Sequence, residues 1–356
     1  MAVPSSPPLN APPGPRVRLV DIAERLNLTK VSVSKALRDH PDISLETRKL
    51  VKRTAAAMGY SPNLLARSLS SRQSFTLGVV VPKIAHTFFS AVIDAIQARA
   101  TAAGYGIVLT VSNERADLER QHIERLLAMR VDGLLVSVSQ EAPELAAYER
   151  VRSMGVPLVF FDRKIEGLPF SSVTVDDRGG AYAGTARLIG EGHRRIAHLA
   201  GAQETEIGRA RREGFEAALA DHGLSVRPDW IVPGGFDEAH GYRGFQAIHA
   251  TGELPDALFA ASFPVALGAR AAMRDLDPAL LDRIRVLAFG DGGLNEVYAF
   301  PHVCVRQPTR AMGEHAVALL LQTIEAEEPE PPRAVVLSTD LVSTEDSRAA
   351  YAVAMA

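Results

Sequence analysis

The chain has 356 residues, 47% of them apolar, with 39 Lys or Arg against 42 Asp or Glu and a single cysteine, Cys304. That length exceeds one ordinary core, so two or three domains are expected. One cysteine excludes an intramolecular disulfide and a cysteine-based zinc cluster, and no run reaches the roughly 18 to 20 uninterrupted apolar residues of a membrane helix.

The net charge of −3 hides a division along the chain. Through Phe75 there are twelve Lys or Arg against five Asp or Glu, a net of +7, leaving 27 basic against 37 acidic residues, or −10, for the remainder. A basic surface on a small N-terminal module is what phosphate binding requires.

In chain order, residues 1–17 contain the proline-rich stretch MAVPSSPPLNAPPGP. It has neither a basic n-region nor an apolar h-region, so a disordered arm is expected, with no export and a reducing cytoplasm as the compartment. Residues 18–61 read as a three-helix module. Asp21, Ile22, Ala23, Leu26 and Leu28 give a short helical period, and Thr29 is placed to cap a second helix through Leu37. Val33, Ala36 and Leu37 face inward on that helix, leaving Thr29, Lys30, Val31, Ser32, Ser34 and Lys35 at or near its outer face. A third helix follows, with Ser44 and Thr47 at its start, Ile43, Leu50, Val51, Ala55 and Met58 at helical spacing, and Gly59 at its end. A second helix presented this way fits a DNA major groove, where lysines reach phosphate or guanine and hydroxyls reach phosphates or base edges. In residues 62–75, Pro62 and Asn63 open a short run with Leu65, Ala66 and Leu69 on one side, followed by a polar linker.

From residue 76 to 348, apolar runs alternate with helical stretches: TLGVVVP, GIVLTVS, DGLLVSVS, PLVFFD, then RIAHLAG, WIVPGG, ALFAAS and RVLAFGD. This predicts parallel sheets covered by helices, in two similar doubly wound lobes separated by a break near RKIEGLPFSSVTVDD. Ligands of such folds sit beyond the carboxyl ends of the strands, and a cleft between lobes suits a small molecule. No glycine-rich phosphate loop, HExxH or GxSxG motif is present, so neither catalytic residues nor a metal or cofactor site is read from the chain. His193 and His198 read as a helix-end polar residue and a satisfied core residue. The turn GDGG, from Gly290 to Gly293, follows a strand without a clear helix start.

The stretches DIAERLNLTKVSVSKAL, GYSPNLLARSL and GVVVPKIAHTFFSAVIDAIQ resemble the headpiece, hinge helix and core start of the lactose-repressor (LacI/GalR) family of bacterial transcription regulators. The resemblance runs from Leu19 to about Arg348. It implies an N-terminal helix-turn-helix headpiece plus hinge helix, then an α/β core of two doubly wound parallel-sheet lobes, periplasmic-binding-protein-like, with chain crossovers between them. The implied function is a non-enzymatic DNA-binding regulator, a repressor, cytoplasmic and on the nucleoid when bound. Its partners would be a pseudo-palindromic operator in double-stranded DNA, a small-molecule effector (a sugar, sugar acid or sugar phosphate) and a second copy of the chain. Control by a docking partner protein, or a sugar-binding protein or enzyme without a DNA role, are the alternatives.

By the same resemblance, Thr29, Lys30, Val31 and Ser32 meet base edges, with Ser34 and Lys35 beside them. Val31 departs from the usual polar or small residue and suits a thymine methyl; Lys35 replaces a common arginine and lacks its bidentate fork. In the hinge, Asn63 and Arg67 match backbone or minor-groove positions, Ala66 permits close approach, and Leu69 matches a leucine wedged between bases. Two wedged leucines imply a homodimer. The tail, residues 349–356, is too short for the leucine-repeat helix of tetrameric members. In the effector pocket, Phe88, Phe89, Asp162, Arg163, Arg211 and Phe236 match, whereas Ser262 and Phe263 stand where the family usually has Asn-Asp and Gly290 where the first of two aspartates usually stands, with Asp291 as the remaining carboxylate. Lost aspartates beside Arg211, Arg163 and Lys164 shift the expected balance toward a positive cleft and an anionic ligand. Arg211→Ala is expected to abolish the ligand response while leaving the fold intact.

Overall fold

The structure is a computed structural model and describes residues 17–37, 39–60, 73–290, 300, 302–328 and 330–343. It divides into two compact units, residues 1–74 and 75–356. In the first, α1 (Leu19–Leu26), α2 (Lys30–Leu37) and α3 (Leu45–Ala57) enclose a small core of Ile22, Ala23, Val33, Ala36, Val51 and Ala55. The boundaries follow from capping. Asn27 takes the left-handed conformation (φ 53°) that ends α1, and the Thr29 hydroxyl accepts the Ser32 N–H at 3.0 Å to start α2. Ser44 caps α3 by accepting from Thr47 N, and Gly59 follows at φ 69°. Leu50, placed by spacing with the inward residues, is 42% exposed. Val51, placed by the same spacing, is fully buried.

The second unit holds two six-stranded sheets. The first contains β1 (Thr76–Val81), β2 (Gly106–Val111), β3 (Gly133–Val136), β4 (Leu158–Phe161), β5 (Ser171–Val175) and β11 (Ala334–Leu337), in the order β11-β5-β4-β3-β1-β2, all parallel. The second contains β6 (Ile196–Gly201), β7 (Ile231–Pro233), β8 (Ala257–Ala260), β9 (Arg285–Phe289), β10 (Val303–Arg306) and β12 (Asp340–Ser343), in the order β12-β10-β9-β8-β6-β7, with only β12 antiparallel. The central strands are apolar throughout because both faces are covered. Along β1, Leu77, Val79 and Val81 join one core cluster and Val80 another across the sheet.

The expected break near residues 163–177 contains a strand. β5 carries Ser171, Ser172 and Thr174, so it shows no continuous apolar run, yet it lies fully inside the first sheet. The chain crosses between lobes three times. It leaves β5 into α7 (Asp177–Gly190), which packs on β9 and β10; it leaves β10 into α12 (Thr309–Glu325), which packs on the first sheet; and it passes from β11 to β12. The remaining helices follow the strands: α4 (Thr87–Ala102), α5 (Ala116–Ala128), α6 (Leu145–Ser153), α8 (Glu206–Asp221), α9 (Glu238–His249), α10 (Phe263–Leu276) and the short α11 (Leu280–Arg283).

His198 on β6 is not the fully satisfied core residue expected. Its ring is wholly buried and stacked on Phe259 at 4.3 Å; Nδ1 pairs with the Phe259 carbonyl at 3.0 Å, while Nε2 has no partner among the described residues. Burial pushes it down to about 3. Because the folded value lies below that of the unfolded chain, this contribution to stability is present above about pH 6.5 and is lost as the pH falls toward 3. His198→Asn is expected to reduce the slope of unfolding free energy against pH by about 1.4 kcal/mol per unit between pH 6 and 4. Denaturant titrations at stepped pH check this; an unchanged slope would place the acid sensitivity elsewhere.

Candidate functional site

The two lobes of the second unit face one another across a cavity of about 340 Å³. Its walls are the segments following the carboxyl ends of the strands, where the sheet edge leaves room for a ligand. After β1 come Phe88 and Phe89 at the start of α4; β4 leads into Asp162 and Arg163; Phe236 follows β7; Phe263 follows β8; and Phe289 ends β9. Arg211 enters from α8. Seven of the eight residues expected in the pocket are therefore brought together; the eighth, Asp291, lies outside the described residues. Phe289, Arg306 and Gln307 also line the cavity and were missed, although each stands at the carboxyl end of a strand.

The charged groups are buried and internally paired. Arg163 donates from Nη1 to Glu114 at 2.8 Å and to the Val138 carbonyl at 3.3 Å, and its guanidinium lies 4.8 Å from the centroid of Phe236. Burial alone would lower Arg163, but Glu114 and Asp162 outweigh it and hold the guanidinium above its ordinary value. Asp162, by contrast, is raised by burial despite Arg163. It sits in the left-handed region (φ 61°), which turns the chain out of β4 into the cleft. Among the described residues its carboxyl accepts from the Ser137 hydroxyl, at Oδ2, 3.2 Å away.

Arg211 is equally committed. Nε and Nη2 both lie 2.7 Å from Asp177 Oδ1, Nη1 donates to the Ala261 carbonyl, and the guanidinium stacks 3.9 Å from the centroid of Phe289. Burial pushes Asp177 up to about 6, against the pull of Arg211. Gly214, one turn on, permits this geometry: a Cβ there would stand 2.2 Å from the Arg178 carbonyl, so only glycine lets α8 approach α7 closely enough. Lys164 is held by Glu206 at 3.3 Å. These three cations arrive with their own carboxylates, so among the described residues Arg163, Arg211 and Lys164 do not make the cleft positive as expected. The expectation that Arg211 can be removed without cost to the fold is also corrected, since Arg211 is the partner of a buried Asp177.

Residues 74–339 match the family described as periplasmic binding proteins and sugar binding domain of LacI family. The chain belongs to the LacI family. The HTH-type transcriptional repressor PurR of Erwinia tasmaniensis is 30% identical over 312 residues, covering 87% of this chain and 91% of its own. Catabolite control protein A of Priestia megaterium is 28% identical over 312 residues, covering 87% and 93%. Among solved structures, the Lac repressor dimer bound to operator and the anti-inducer ONPF aligns with a TM-score of 0.79 at 25% identity, covering 92% of this chain and 98% of that one.

As in other helix-turn-helix modules, α2 of this LacI-family chain is the second helix of the pair. Lys30 and Val31 are exposed, Val31 by 65%, while Ser32, Ser34 and Lys35 are half-buried. The Thr29 and Ser32 hydroxyls lie 2.8 Å apart and are engaged with each other at the helix start. Lys35 reaches Asp42 at 2.7 Å, and Lys35 with His40 holds Asp42 below the ordinary carboxylate range. The four hinge residues Asn63, Ala66, Arg67 and Leu69 lie outside the described residues. Among the described residues no helix is long and apolar enough to cross a membrane, and Cys304 is buried.

Proposed function

We propose that this LacI-family chain is a sequence-specific DNA-binding repressor whose operator affinity is set by a small molecule held between the two lobes of its core. The observation that carries this reading is the pairing, in one chain, of a helix-turn-helix unit with an exposed outer face on α2 and a separate unit enclosing a buried, ring-lined cleft. Relatives named as transcriptional repressors, and a structural neighbour bound to operator and an anti-inducer, support it. The working form is a cytoplasmic homodimer on a pseudo-palindromic site, each headpiece reading one half.

Control follows from differential affinity. The three crossovers between the lobes are short, so they are the segments that absorb lobe closure, and a ligand touching both walls favours the closed arrangement. The ligand changes DNA affinity to the extent that closed and open arrangements differ in operator binding.

Lys35 and Leu69 are assigned different roles in this scheme. Lys35→Ala removes a phosphate or base contact, so the slope of log affinity against log salt should fall by about one. Leu69→Ala removes the wedge, so specific binding should weaken while non-specific binding is less affected. Mobility-shift titrations at three salt concentrations separate the two. A chain lacking residues 1–72 that bound operator as tightly as the full chain would refute the assignment of DNA binding to this segment.

A further inference from the structure

Residues 39–42, between α2 and α3, hold two of the five acidic residues that precede Phe75. A carboxylate on a module that binds a polyanion is repelled by every phosphate it approaches. Both carboxylates are turned onto lysines. Asp42 Oδ2 lies 2.7 Å from Lys35 Nζ and Asp39 Oδ2 lies 2.6 Å from Lys52 Nζ, so two of the module's four lysines meet a carboxylate of the same short loop.

The loop is built to hold Asp42 in that place. Asp39 takes the left-handed conformation (φ 58°), its N–H donates to the Ala36 carbonyl at 3.2 Å, and the His40 N–H donates to the Lys35 carbonyl at 3.1 Å, so the chain folds back over the last turn of α2. From the other side α3 fixes Asp39, Lys52 taking its carboxylate and Arg48 donating to its carbonyl at 3.1 Å. Pro41 restricts the next step, and the Asp42 N–H donates to His40 Nδ1 at 3.3 Å. The Asp42 carboxylate therefore stands against Lys35, which lies one turn beyond the exposed Val31 on the same face of α2.

We infer, on the reading of α2 as the DNA-facing helix, that Asp42 is a specificity-determining residue: it cancels the charge that Lys35 shows to phosphates while leaving the other donors of the ammonium for base edges. An ammonium carries three donors, and Asp42 engages one. A phosphate drawn to Lys35 also approaches Asp42 and is repelled by it. Guanine O6 and N7 are uncharged acceptors in the major groove, so they meet the same ammonium without that repulsion. DNA of arbitrary sequence therefore gains little from Lys35, and a site with guanine opposite it gains more. Asp39 is a positioning residue in this scheme, acting on DNA only through the loop that presents Asp42.

Fluorescence anisotropy on the full chain at stepped salt tests this with two duplexes: the operator recovered by selection of genomic fragments, and alternating dA-dT, which has no guanine. Asp42→Asn is expected to tighten binding to alternating dA-dT by at least about threefold, within the range of one exposed ion pair per headpiece. The slope of log affinity against log salt on that duplex should steepen by about 0.9 per headpiece. Operator affinity should change less, so the ratio of operator to dA-dT affinity falls. With Lys35→Ala already present, Asp42→Asn should leave that ratio unchanged. The Asp42 side chain is 58% exposed, so the fold tolerates its substitution, and Asp42→Ser gives a second variant. An unchanged ratio in Asp42→Asn, or the same fall in the Lys35→Ala background, which a lost repulsion alone would give, would overturn the inference. If Lys35→Ala weakens operator binding and Asp42→Asn leaves the ratio unchanged, only the role of Asp42 fails; if Lys35→Ala leaves operator binding unchanged, the reading of α2 fails with it.

Discussion

Arg211→Ala is expected to lower the stability of the second unit by about 3 to 5 kcal/mol, the cost of leaving one member of a buried ion pair without its partner. The residue is 3% exposed, it donates from Nε to Asp177 Oδ1 with Nη2 also 2.7 Å from that oxygen, and it bridges to the Ala261 carbonyl and the Phe289 ring. Removing it strands Asp177 in a dry site where its carboxyl already resists ionisation. Arg211→Lys restores charge but not the fork, so it should recover only part of the loss. The double variant Arg211→Met with Asp177→Leu removes both charges at similar volume and should be far more stable than Arg211→Ala alone. Guanidinium unfolding of the three variants measures this. If Arg211→Ala unfolds at the same midpoint as the unsubstituted chain, the pair is not holding the cleft wall.

Val33→Asp is expected to abolish specific DNA binding while sparing the core. Val33 is fully buried at the centre of the headpiece cluster with Ile22, Ala36 and Val51. A core in so small a unit supplies only about 3 to 5 kcal/mol, comparable to the cost of burying one unpaired charge. Operator affinity should fall to the non-specific level, a loss of at least about 10³-fold. The second unit has its own clusters, so its unfolding midpoint and its ligand affinity should be unchanged. Mobility shifts combined with calorimetry on the same sample test both halves. Retained specific binding would show that α2 need not be folded against α1 and α3, contrary to the helix-turn-helix reading.

The headpiece was legible because its signals are local. Thr29, Ser44 and Gly59 act within one turn of where they stand, and the inward Val33 and Ala36 obey the helical period. Eight strands were legible as apolar runs, and four, β5, β10, β11 and β12, were not. β5 is carried by Ser172 and Thr174, buried hydroxyl side chains within its span; β10 (VCVR) and β11 (AVVL) are apolar-rich runs of only four residues that went unread; and β12 is a half-exposed edge strand.

In the cleft, the carboxyl-end rule and the family resemblance together located Phe88, Phe89, Asp162, Arg163, Arg211, Phe236 and Phe263, all of which line one cavity. The charge balance could not be read the same way. The partners that neutralise Arg163 and Arg211 stand 49 and 34 residues away in the chain, Glu114 after β2 and Asp177 at the start of α7. Only the crossover from β5 to α7 brings Asp177 beneath α8, and that crossover lay in the segment read as a break.

In the proposed regulator the two units work together, one reading a symmetric DNA site and the other setting how tightly it is held. The most direct measurement is selection of genomic DNA fragments by the full chain, followed by footprinting of the enriched sites. Enrichment of one two-fold-related sequence, protected over both half-sites, is expected, with its protection changed by a ligand that binds the cleft. Uniform, salt-sensitive binding without a preferred sequence, or a preferred site whose protection is the same with the cleft filled and empty, would contradict it.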